Sequence, residues 1–193
     1  MTDGAVKDGE NGAARAGARL ALEFRADAFV LKRRRDEGGW VEAAVSALEA
    51  PVNPADFDAA IVVVLEKARE LTGEREPQVE IWLPPERALL VKLGPKETAA
   101  DALAAAPASA SDLVHDLSRD RRLVAIAEYA VVEDALRYAR GWGFAPTRVT
   151  ARIGLKAFPE GPDFAEPAAR PRAALAITER VAPLKRFLPQ VAL

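Results

Sequence analysis

The chain has 193 residues, half of them apolar, enough to bury the core of one ordinary domain with tails to spare. Its formal net charge of -2, from 27 Lys and Arg against 29 Asp and Glu, gives no global attraction to nucleic acid or to an anionic membrane. The absence of cysteine excludes disulfides, thiolate metal sites and cysteine nucleophiles and suits a reducing compartment, while the longest apolar runs fall far short of the ~20 residues of a membrane span. The expectation is a cytoplasmic protein that recognises a protein partner by shape, with no nucleic acid, no membrane span and no cofactor; a homo-oligomer is left open.

Residues 1–17 are polar, acidic and Gly-rich, the reverse of a signal peptide, and are expected to be a disordered tail. From Arg19, Leu20-Ala-Leu-Glu-Phe24 reads as a strand, residues 25–28 as a turn, and Phe29 to Arg35 as its hairpin partner. After the Gly38-Gly39 turn, Trp40 to Leu48 alternates as a third strand, although its alanines also suit a helix. Asn53-Pro54 then starts a helix: Asn caps the free N–H groups, Pro is pre-set for the first turn, and Asp56 and Asp58 complement the helix dipole. Phe57, Ile61, Val64, Leu65, Ala68 and Leu71 recur at helical spacing along its buried face, and Gly73 stops it.

Pro77 to Pro159 reads as one compact unit of two strand pairs separated and followed by helices. Its strands are Val79 to Leu83, ended by Pro84-Pro85, and Leu89 to Leu93; an Ala-rich helix follows Pro95. Asp112 to Leu117 and Arg122 to Ala130 pair across Ser118–Arg121, and a helix from Val131 to Trp142 turns Val132, Leu136, Ala139 and Trp142 to one side before a last strand with Val149 and Ile153. The domain is placed at residues 18–158. Residues 159–193 read as a Pro-rich linker and a short apolar helix carrying Leu175, Ile177, Val181, Leu184 and Phe187, interrupted by Pro183.

Three strands, a helix, then strands and helices closing on a mixed sheet is the order of actin-like, ribonuclease-H-like α/β domains. The run Val79-Glu-Ile-Trp-Leu-Pro-Pro-Glu-Arg-Ala-Leu-Leu-Val-Lys-Leu93, followed by Leu113-Val-His-Asp-Leu117, Leu123-Val-Ala-Ile-Ala127 and the helix before Gly143-Phe144, resembles the cytoplasmic actin-like domain of the L-type inner-membrane platform protein of bacterial type II secretion and its type IV pilus relative. The resemblance spans residues 19 to 160 and rests on hydrophobic pattern and turns. Those proteins continue into further actin-like subdomains, a membrane span and a periplasmic domain, so this chain resembles a half-module. What the resemblance implies is an interaction scaffold of a membrane-associated complex.

The chemistry of that fold is then looked for residue by residue. A nucleotide-binding actin-like domain needs Asp-x-Gly on its first strand for metal and phosphate; Leu20-Ala-Leu-Glu-Phe-Arg-Ala-Asp27 has no glycine, and no P-loop occurs elsewhere. A metal-dependent nuclease would have to draw on Glu23, Asp27, Asp112 and Asp116, which read better as surface carboxylates. His115 is the only histidine, and strand alternation sends its neighbour Asp116 to the opposite face. Lys32-Arg-Arg-Arg35 divides its charges between two faces and reads as a solvated strand end or guarded edge. No catalytic or metal residue is assigned. Trp40, Trp82 and Trp142 read first as packing aromatics, with Trp82 beside Pro84-Pro85 also a candidate to cap an exposed groove. The partner-binding candidates are Trp82, Leu175, Val181, Leu184 and Phe187, in a non-enzymatic binding or assembly scaffold; the alternative is a degenerate nucleotide binder or a metal-dependent nuclease.

Overall fold

The computed structural model describes residues 19–25, 27–48 and 54–164. The expected N-terminal tail, the Asn53 cap and the C-terminal segment with Leu175, Val181, Leu184 and Phe187 lie outside the described residues.

The chain opens with a meander of β1 (Leu20–Phe24), β2 (Ala28–Arg34) and β3 (Trp40–Ala47). Two glycines make the β2–β3 turn: Gly38 and Gly39 both take positive φ, 90° and 81°, which a residue with a Cβ adopts at a cost. The third segment is a strand, because its Ala and Val residues pair with β2 rather than coil on themselves. Helix α1 (Pro54–Thr72) follows and ends at Gly73 as expected. Then come β4 (Gln78–Leu83), β5 (Leu89–Lys92), α2 (Ala99–Ala104), β6 (Leu113–Leu117), β7 (Leu123–Glu128), α3 (Tyr129–Trp142) and β8 (Ala145–Ala151). Thr98 and Asp101 start α2 by a reciprocal capping box.

The strands do not close on one sheet, and the stretch from Pro77 to Pro159 is split between two. The first sheet runs β3-β2-β1-β4-β8, with β2 antiparallel to both neighbours and β1, β4 and β8 parallel. The second is the antiparallel trio β5-β7-β6. Pro84 and Pro85 end the β4 ladder and turn the chain out of the first sheet, so β5 takes β7 as its neighbour instead of β4.

Alternation sets the core. Leu20, Leu22 and Phe24, with Phe29, Leu31, Val79, Ile81 and Val149, face α1 and α3, which present Ile61, Val64 and Ala68, and Val132, Ala135 and Ala139. Strand β7 is buried on both faces: Ala125 and Ala127 join this main core, while Val124 and Ile126 meet Ala102 of α2. The Pro-rich stretch is irregular as far as it is described, yet Phe158 and Phe164 are buried in the main core and Phe164 N–H donates to Val149 O at 2.9 Å, so packing continues past residue 158.

Candidate functional site

The alternation that buries one face of the first sheet sends Glu23, Lys32, Arg34, Trp40, Glu42, Glu80, Trp82, Arg148 and Thr150 to the other. No helix among the described residues covers this face; a layer of long side chains does. Trp40 meets Trp82 edge-on at 4.9 Å between centroids, Lys32 and Arg152 lie over the Trp82 ring at 5.3 and 4.6 Å, and Arg19 lies over Trp40 at 5.9 Å. Trp82 is therefore only 3% exposed. This corrects its candidacy for partner binding: enclosed by Trp40, Lys32 and Arg152, it packs the sheet and presents no groove surface.

Beside the tryptophans sits the group that sequence reading missed. Glu80 is 3% exposed, and its carboxylate accepts from Arg19 Nε at 2.6 Å, Arg148 Nη2 at 2.9 Å and Trp82 Nε1 at 3.5 Å. Arg148 Nη2 also donates to Glu160 O at 2.8 Å, and the Glu160 carboxylate accepts from Arg34 at 3.3 and 3.5 Å and pairs with Arg19 at 3.8 Å. The network thus ties the entry of β1, the middle of β4 and the 158–164 strap together at one end of the sheet. A cavity of about 320 Å³ adjoins it, lined by Arg19, Thr72, Glu74, Gln78, Glu80 and Thr147 among others. The signal available in the sequence was a lone Glu within the otherwise apolar Val79-Glu-Ile-Trp-Leu83; its arginine partners lie 61 and 68 residues away.

Open α/β sheets hold ligands at the carboxyl ends of their parallel strands. At that end of β1, Glu23 is pinned by Lys32 at 2.9 Å and Arg25 at 3.2 Å, and Arg25 also bonds Glu42 at 2.6 Å. Burial alone would raise the Glu23 carboxyl, but the hydrogen bonds from Arg25 and Lys32 together outweigh it and hold it below its ordinary value. A carboxylate saturated by two cations is an ion-pair partner rather than a free metal ligand. The other candidate carboxylates are not gathered to it: Asp27 lies in the β1–β2 turn, Asp112 in the short 3-10 turn that leads into β6, and Asp116 on β6 of the second sheet. Among the described residues, no group of three His, Cys, Asp or Glu converges to hold a metal ion.

His115 is exposed on β6, and Asp116 accepts instead from Leu117 N–H at 2.8 Å and Asp163 N–H at 2.9 Å, so the two are not a pair. In the Lys32–Arg35 run, Lys32 and Arg34 are engaged on the tryptophan face while Arg33 and Arg35 are exposed, the division that alternation requires. Strand β3 is the remaining feature. Among the described residues nothing pairs with its outer edge, and exposed valines flank it: Val45 on β3, 49% exposed, and Val63 on the neighbouring α1, 52% exposed.

The first sheet, with its three-strand antiparallel start, helix and two further parallel strands, has actin-like, ribonuclease-H-like topology. Among solved structures the chain is similar to the cytoplasmic domain of EpsL, an inner membrane component of the type II secretion system of Vibrio cholerae, at 13% identity and a TM-score of 0.47 over 69% of this chain and 55% of that one. It is also similar to a Bacteroides thetaiotaomicron protein with actin-like ATPase fold and unknown function, at 8% identity and a TM-score of 0.41 over 69% of this chain and 51% of the other. The chain spans about half the length of these structures, and the likeness is one of fold. No protein-family model and no curated protein matches the sequence. Among the described residues no helix is long and apolar enough to cross a membrane.

Proposed function

We propose that the chain is a non-enzymatic protein-binding module that serves as an assembly scaffold through the outer edge of β3. The observation that carries this reading is the edge itself: eight residues of strand, one of them charged, with no partner among the described residues and with Val45 and Val63 exposed beside it. Natural edge strands are ordinarily covered, shortened or charged, because their free N–H and C=O groups recruit other strands. An edge left open with apolar flanks suits strand addition, in which main-chain bonds give affinity and flanking side chains give selectivity. The ion-paired state of Glu23 supports the non-catalytic half, since its carboxylate is already saturated where this topology would hold a ligand. The platform-protein resemblance adds the proposal that the assembly is membrane-associated.

Two measurements test it. A thermal-shift screen with Mg-ATP, Mg-GTP, Mg and Mn should give no saturable shift, because a ligand selective for the folded state must stabilise it. A saturable shift with any of them would favour a nucleotide or metal site instead. Val45→Pro, which removes an N–H that faces outward from β3, should abolish capture of whichever protein the wild-type chain retains; equal capture by both would remove β3 from the binding surface.

A further inference from the structure

Resting on that protein-binding reading, we propose that the β3 edge and the outer flank of α1 pair with the same surface of a second copy of this chain, joining two five-stranded sheets into one of about ten strands.

The direction α1 faces comes from its neighbours. Leu65 and Arg69 lie against Gly143 at the end of α3, so that flank of α1 looks inward. Val63, two residues before Leu65 and hence about 200° around the helix, lies on the far flank, and α1 packs against β3 and β2, so this flank borders the free edge. Strands pair about 4.8 Å apart. A helix seated between β2 and β3 is then about 5 Å from a two-fold axis just outside β3, and two such helices are about 10 Å apart, within the packing distance of helices. An isolated peptide strand added to β3 would leave Val63 exposed; a second copy brings its own α1 to cover it.

A register shift against β2 leaves Ala43 unpaired as a bulge, and the regular run beyond it, Ala44–Ala47, carries no charge to oppose itself in an antiparallel pair. The two-fold also sets the α1 helices antiparallel, and the charges that follow Val63 on this flank are balanced within each helix, Lys67 holding Glu70 at 2.8 Å. The interface is isologous and closes as a dimer.

The full chain in analytical ultracentrifugation should reach a dimer as its concentration rises, and Val63→Glu and Val45→Lys should each weaken dimerisation by about tenfold or more. Both side chains are exposed in the single copy, so circular dichroism should show the fold retained. Because the sequence has no cysteine, Val63→Cys supplies a single thiol, and a short bis-maleimide should convert that variant to covalent dimer. A chain that stays monomeric at every concentration, or a dimer indifferent to both substitutions and uncrosslinked at residue 63, would overturn the proposal. Loss of capture in Val45→Pro from such a monomer would leave the protein-binding reading standing without the second copy.

Discussion

Glu80→Gln is the sharpest probe of what holds the sheet end together. The substitution keeps the shape of the side chain and removes its charge, leaving Arg19 and Arg148 without their shared acceptor. Breaking a buried ion pair by removing one member costs ~3–5 kcal/mol when the other stays dry. Here the two partners differ: the Arg19 side chain is 43% exposed and can rehydrate, whereas Arg148 is 19% exposed and its Nε already has no hydrogen-bond partner. Arg148 does keep its bond to Glu160 O at 2.8 Å, so the low end of the range applies, about 3 kcal/mol. At about 2–4 °C per kcal/mol for a domain of this size, the melting temperature should fall by roughly 6–12 °C in calorimetry at neutral pH. Glu23→Gln is the comparison: its side chain is 23% exposed against 4% for Glu80, and its partner Arg25 can rehydrate, so the loss should be smaller, about 1–2 kcal/mol. A Glu80→Gln loss no larger than that of Glu23→Gln would refute the reasoning, because Glu80 would then behave as a solvated surface charge.

Three further outcomes concern the strap. Gly161→Ala should destabilise by ~2 kcal/mol or more in urea unfolding, since Gly161 has φ of 81° and an added Cβ would fall 2.3 Å from Thr150 Oγ1 and 2.8 Å from Ala151 O. Phe164→Ala empties a fully buried site and should cost ~3–5 kcal/mol by the same measurement; a loss under ~1 kcal/mol would show that the strap does not belong to the core. Burial, opposed by Arg148 and helped by Asp116 and Glu80, raises the Asp163 carboxyl above its ordinary value. A raised acid favours the fold in its protonated form, fully so below the ordinary aspartate range, and that contribution is lost as pH rises through the raised value. Asp163→Asn should therefore raise the melting temperature at neutral pH and leave it nearly unchanged in acid; the opposite pH trend would contradict the assignment.

Much of the fold was legible because it is local. Helix α1 is written in the spacing from Phe57 to Ala68 and in its Pro54 and Gly73 ends, and the β1–β2–β3 meander in short turns between alternating runs. The Ala-rich β3 was decided by the compact turn before it, not by its composition. Pairing across distance was not legible. That β5 would turn from β4 to β7 depends on where two prolines send the chain, and a pattern of apolar residues says which face is buried but not which strand lies alongside. Glu80 was passed over for the same reason: one carboxylate in an apolar strand is recognisable as a buried ion pair only once Arg19 and Arg148 are known to converge on it. Trp82 misled in the opposite direction, since its neighbour Pro84-Pro85 suggested a rim, while Lys32 and Arg152 close over its ring.

Hydrogen exchange of the full chain, measured dilute and concentrated, tests most directly whether β3 is the docking edge. The amides of Trp40–Ala47 and the stretch of α1 around Val63 should exchange more slowly in the concentrated sample, with β5 and β8 unchanged. Exchange in β3 that is rapid and independent of concentration, with new protection at β5 instead, would contradict it.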